Sequence, residues 1–135
     1  MKIQFANRPA DQSGFSLVEV LAAVGIIGII AFLAIPNIVA IKEESERNLA
    51  ISKAEALNMA ISSYIQANGR DIAETDYKSA TSENLRYRKL APYMSFAPTN
   101  FDDYKPNGYG LDLPNDLANL TKTVLTDPAG DPIDY

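Results

Sequence analysis

Between Phe15 and Ile35 the chain reads FSLVEVLAAVGIIGIIAFLAI, an apolar run broken only by Ser16 and by one charge, Glu19. Coiled as a helix at ~1.5 Å per residue, a run of this length reaches ~31 Å, about one hydrocarbon thickness. A helix buried in a soluble core would carry a polar stripe for its outer face, and this run has none. It is also too long for the apolar region of a secretory signal, and the residues after it, Ile35-Pro36-Asn37, offer no small-residue cleavage pattern. The small residue stands in front instead. Gly14 closes a polar leader, MKIQFANRPADQSG, and the apolar run begins at the next position. Lys2 and Arg8 precede the run while Lys42, Arg47 and Lys53 follow it, so the count of basic residues leaves orientation open.

The rest of the composition excludes more than it selects. A chain of 135 residues has room for one modest domain beside a membrane segment. A formal net charge of -5 disfavours nucleic acid as a partner. With no cysteine and no histidine, the chain alone cannot build disulfides, thiolate metal sites, histidine zinc sites or a histidine-based catalytic triad. Carboxylates are plentiful, but no nucleophile, base and orienting group occur together, so an enzyme is not expected.

The carboxylate of Glu19 needs a reason to be where it is. Near the middle of a membrane helix such a charge costs ~2.5 to 3.5 kcal/mol, less toward the end, and it persists best with a partner or a function. Lys2 and Arg8 lie more than ten residues upstream, in a leader interrupted by Pro9 and Gly14. If the chain is cut after Gly14, Phe15 gains a positive α-amine one turn from Glu19. Staggered packing of such helices would pair one copy's Glu19 with another's Phe15 amine, where low dielectric makes charge matching select the register. The alternative is a carboxylate that reaches headgroup water from the interface.

GFSLVE followed by a long apolar tail resembles the class III signal of type IV pilins and of the pseudopilins of type II secretion. The resemblance covers roughly the first third of the chain. It implies processing at Gly14 and Phe15 by a membrane aspartyl peptidase, the prepilin peptidase, with methylation of the new Phe15 amine. It further implies a role in assembly for Phe15 and Glu19. One departure is that family leaders often place Lys or Arg immediately before the glycine, where this chain has Gln12-Ser13.

Pro36 lacks an amide proton, so a kink or opening is expected after the span, and Gly25 and Gly28 lower helical stability before it. The stretch from Gly28 to Pro36 is therefore a candidate helix break that melts when helices pack; equally, the glycines permit close helix contact. Charges then appear abruptly. Glu43 and Arg47 stand at i,i+4 spacing, and Ala50, Ala54, Leu57, Ile61 and Tyr64 recur every three or four residues as one apolar stripe, with Asn68-Gly69 as a stop. The expected organisation is a leader (1–14), a membrane and assembly helix (15–36), its amphipathic continuation (37–69) and a small globular domain (70–135).

In that last part, Ser82 predicts the cap of a short helix over Glu83–Ala91, stopped by Pro92. Tyr109–Leu113 and Leu120–Thr126 read as strands. A small antiparallel sheet across the stripe would bury Leu57, Ile61, Tyr64, Leu111, Leu113 and Val124, giving a pilin-like α+β fold. Tyr87, Tyr93, Tyr104, Tyr109 and Tyr135 either pack on that sheet or form an adhesive surface. So small a domain often needs a staple, and LTDPAGDPIDY offers Asp127, Asp131 and Asp134 as oxygen ligands of the kind calcium takes. The loop is similar to the calcium-binding DPWGNPY-like loop of major pseudopilins. It departs from that loop at Ala129, Asp131 and Ile133, and a solvated acidic turn is the other reading.

The resulting expectation is a structural subunit of a secretion pseudopilus or type IV pilus. Its implied partners are itself, other pilin-like subunits, the prepilin peptidase, an inner-membrane assembly platform and membrane lipid. Its implied place is the inner membrane, single-pass, with the C-terminal domain in the periplasm or at the cell surface. The competing expectation is an uncleaved single-pass anchor carrying a periplasmic binding domain.

Overall fold

The computed structural model describes residues 14–135. Helix α1 runs from Leu17 to Asn68. It is followed by α2 (Arg70–Ser79), α3 (Glu83–Leu90), a 3-10 turn (Ala91–Tyr93), α4 (Phe101–Tyr104) and three short strands, β1 (Gly110–Asp112), β2 (Val124–Thr126) and β3 (Pro132–Ile133). Compactness divides the chain into two units, residues 1–40 and 41–135. The amphipathic half of α1 thus belongs to the same compact body as everything after it.

In the first unit the helix is bare. It contains a window of mean hydropathy 2.7, none of it buried, long and apolar enough to cross a membrane. The break expected at Gly28 and Pro36 is not open here, because α1 continues through both. Pro36 withholds the amide that would reach the Phe32 carbonyl. One position on, the Asn37 side-chain amide donates to the Leu33 carbonyl at 3.3 Å, adding a hydrogen bond where the ladder is weakest.

In the second unit the stripe behaves as its spacing dictates. Ala50, Ala54, Leu57, Ile61 and Tyr64 are all buried, joined by Ala60. The expected Glu43–Arg47 ion pair is replaced, among the described residues, by an exposed Lys42–Glu46 pair at 3.4 Å. On a solvated face such pairs compete within a few tenths of a kcal/mol, so spacing alone does not choose between them. At Gly69 the backbone turns to φ 79°, a conformation that glycine tolerates, and a new helix starts at once. That helix, α2, was not expected from the sequence; its buried residues are only Ala73 and Tyr77, four apart, while its remaining large apolar side chain, Ile72, is exposed.

Helix α3 starts where Ser82 places it, the hydroxyl accepting from the Leu85 amide at 3.3 Å. The sheet is antiparallel in the order β1-β2-β3. Leu111 pairs with Leu125 and Leu125 with Ile133, so these three form one row across the sheet. Leu111 and Leu125 are fully buried. Val124 pairs instead with Asp112 and is half exposed. This corrects the expected core by one residue, which in a strand moves the side chain to the other face. The second strand also starts later than expected, because Leu120 adopts φ 48° and lies outside the extended region.

Candidate functional site

The expected processing residues lie at the start of the described chain. Gly14 and Phe15 precede any regular structure, and the Phe15 side chain is 91% exposed. The leader residues before Gly14, Lys2 and Arg8 among them, lie outside the described residues.

One turn into the helix, Glu19 has a partner that the sequence reading did not supply. Its Oε2 accepts a hydrogen bond from the Ser16 backbone amide at 2.8 Å. Ser16 Oγ in turn accepts from the Val18 amide at 3.3 Å, and the Val20 amide donates to the Ser16 carbonyl at 3.2 Å. The two side chains thus form a variant of the capping box: glutamate three residues past the cap satisfies the cap's amide, while the serine hydroxyl satisfies the Val18 amide rather than that of Glu19. The signal was present as Ser16-Leu17-Val18-Glu19, a serine followed at the third position by glutamate before an apolar run. A carboxylate at this end also meets the positive end of the helix dipole. Glu19 is thereby held facing the head of the helix, the direction in which helical side chains lean. Gly28 and Pro36 are exposed within α1, and a Cβ at Gly28 would meet nothing within 4 Å.

The acidic loop sits between β2 and β3 and serves its own turn. Asp127 Oδ1 accepts from the Ala129 amide at 2.9 Å and from the Asp131 amide at 2.8 Å. The Asp127 amide donates to the Asp131 carbonyl and the Gly130 amide to the Asp127 carbonyl, both at 2.9 Å. Among the described residues no three acidic side chains gather closely enough to hold a metal ion. As placed, Asp127, Asp131 and Asp134 do not fit a calcium ion as a trio.

The tyrosines pack rather than present a surface. Tyr77 and Tyr87 are fully buried, and Tyr104, Tyr109 and Tyr135 are partly buried against the core; Tyr93 is the more exposed one, edge-on to Tyr64 at 5.7 Å. Burial pushes the Tyr87 hydroxyl up to about 12. Two polar junctions lock α1 to the rest of this unit. Tyr64 donates to Asp76 at 2.6 Å, and Lys89 closes on the other oxygen of that carboxylate at 2.7 Å. Asn58 accepts from the Thr123 amide at 2.8 Å and donates to the Tyr135 hydroxyl at 3.2 Å, which itself donates to the Thr123 carbonyl.

The pattern for the prokaryotic N-terminal methylation motif matches residues 9–35, the segment that contains Gly14, Phe15 and Glu19. Type II secretion system core protein G of Klebsiella pneumoniae is 30% identical over 105 residues, which are 78% of this chain and 68% of that protein. The chain belongs to the pilin and pseudopilin family. Core protein G of Pectobacterium carotovorum is 32% identical to this pseudopilin-like chain over 105 residues, 78% of the chain and 61% of the relative. The type IV major pilin protein PilA of Myxococcus xanthus is 33% identical over 91 residues, 67% of the chain and 34% of the relative. The chain therefore spans about 61% to 68% of the core protein G relatives named here, and a smaller share of the pilin. No solved structure matches.

Proposed function

We propose that this pilin-family chain is a structural, non-enzymatic subunit of a secretion pseudopilus, cut between Gly14 and Phe15 and packed helix to helix through its apolar segment. The single observation that carries the reading is the head of α1. An exposed Phe15 follows a glycine, and Glu19 is held one turn in, facing the place where a freed amine would lie. A bare helix of spanning length supports membrane anchoring before assembly. The inner membrane as the anchor site, the periplasm as the destination of residues 41–135, and the prepilin peptidase and assembly platform as partners belong to this proposal. So does the opening of α1 between Gly28 and Pro36 on packing. The match to core protein G of Pectobacterium carotovorum covers 78% of the chain against 67% for the pilin, which favours secretion over a surface pilus.

Mass spectrometry of the membrane form tests the proposal. In cells with an active prepilin peptidase the protein should begin at a methylated Phe15; filaments built from chains that still begin at Met1 would refute it. Gly14→Leu should block maturation, whereas an uncleaved anchor would tolerate it.

A further inference from the structure

We propose that Ser16 is a positioning residue for assembly, fixing the first turn of α1 so that Glu19 is already aimed at the head of the helix before any partner arrives. This rests on the assembly reading above and deepens it. The hydroxyl of Ser16 satisfies the Val18 amide, and the carboxylate of Glu19 satisfies the Ser16 amide, so the two side chains together pin the first turn. Cleavage between Gly14 and Phe15 leaves the Ser16 amide intact, since that bond lies on the far side of Phe15. The box is therefore carried unchanged into the cut subunit, with the new amine one residue in front of it.

Two consequences separate this from a helix that merely starts well. First, the carboxylate enters the membrane with a hydrogen-bond donor of its own, so the free subunit needs no basic partner from the leader. Second, docking becomes a change of partner. The carboxylate turns from its own Ser16 amide to a neighbour's Phe15 amine without first giving up the rotational freedom of a roaming glutamate side chain. Removing the hydroxyl lets the first turn fray and restores that freedom. The loss of an ordinary helix cap corresponds to a factor of about five in an equilibrium.

The test has two arms. In the first, hydrogen exchange of the residue-16 amide is measured by NMR on the full, uncut chain in detergent micelles. Exchange should be about fivefold faster in Glu19→Ala and in Ser16→Ala than in the unaltered protein, and unchanged in Ser16→Thr. Equal rates in all four overturn the box. In the second, cells that make the peptidase are scored for cleavage and for incorporation into filaments. Ser16→Ala should be cleaved normally and incorporated about fivefold less, with Ser16→Thr restoring incorporation. Full incorporation of Ser16→Ala, or failure of threonine to rescue it, overturns the positioning role. A wild-type chain that is never cut or polymerised overturns the assembly reading instead, and is recognised because the exchange result would stand.

Discussion

Asn58→Ala should unlatch the sheet from α1. Asn58 lies on the amphipathic half of the helix, one residue after fully buried Leu57, and its side chain meets the Thr123 amide at 2.8 Å and the Tyr135 hydroxyl at 3.2 Å. Thr123 is buried to 1% exposure, so truncation strands its amide where water has little access. A buried donor left without its acceptor costs about 1 to 3 kcal/mol, and losing the weaker bond to Tyr135 adds roughly 0.5 kcal/mol, for a total of about 1.5 to 3.5 kcal/mol. In a unit of this size that corresponds to a fall in Tm of roughly 6 to 28 °C. Asn58→Asp keeps an acceptor for Thr123 and loses only the donor to Tyr135, so it should cost roughly 0.5 kcal/mol, well under half of the alanine effect. Thermal unfolding of the full chain in detergent, followed by near-ultraviolet circular dichroism, reads this cleanly. All seven tyrosines lie in residues 41–135 and there is no tryptophan, so the tyrosine signal comes from that unit. A Tm for Asn58→Ala within 3 °C of wild type would show that the latch contributes nothing, and with it the argument that α1 organises the sheet through this residue.

Lys89 and, after it, the Tyr64 hydroxyl hold the Asp76 carboxyl below its ordinary value, so the stability it contributes is present above the unfolded carboxylate pKa and lost as pH falls through the lower folded one. Acid unfolding monitored by the same dichroism should therefore flatten in Asp76→Asn, and an unaltered acid limb would contradict the junction. Burial, with the nearby Tyr104 and Asp103 adding to it, raises Tyr87 to about 12, so its stabilisation is complete below the unfolded value near 10 and fades as pH rises toward the folded one. Tyr87→Phe should shift alkaline unfolding to higher pH; the reverse shift would mean that its bond to the Pro98 carbonyl, at 3.0 Å, matters more than its titration. Asp127→Ala removes the acceptor of two loop amides and should lower stability by about 1 to 2 kcal/mol in urea unfolding, by the same amount with chelator as with millimolar calcium. A loss confined to the calcium condition would show that the loop serves an ion.

How far the sequence carried depended on whether a feature was periodic, local or shared between distant segments. The stripe from Ala50 to Tyr64 was legible because burial of one helix face imposes a spacing that only the helix itself has to satisfy. Ser82 was legible for the same reason, as a cap acts within one turn. The sheet was less so. Whether Val124 or Leu125 faces inward depends on pairing with Asp112 and Leu111, and two adjacent apolar residues carry no alternation to decide it. Helix α2 escaped because the turn chemistry of Asn68-Gly69 ends one helix without saying that another follows, and two inward residues are too few to show a period. Asn58 could not be assigned at all, since its partners lie 65 and 77 positions away.

Glu19 belongs to both classes. Its oddity in an apolar run was plain, and it directed attention outward, to an amine on another copy. The structure adds an inward answer: the glutamate is the third residue of a helix whose cap is Ser16, and it satisfies an amide of its own chain. The two answers are compatible because they act at different stages. A carboxylate with no local partner would be costly in the membrane before assembly, while one bound too tightly would resist capture. A single hydrogen bond to a backbone amide at the helix entrance is strong enough to orient the charge and weak enough, at about 1 kcal/mol net, to be exchanged for a full ion pair with a neighbour's amine.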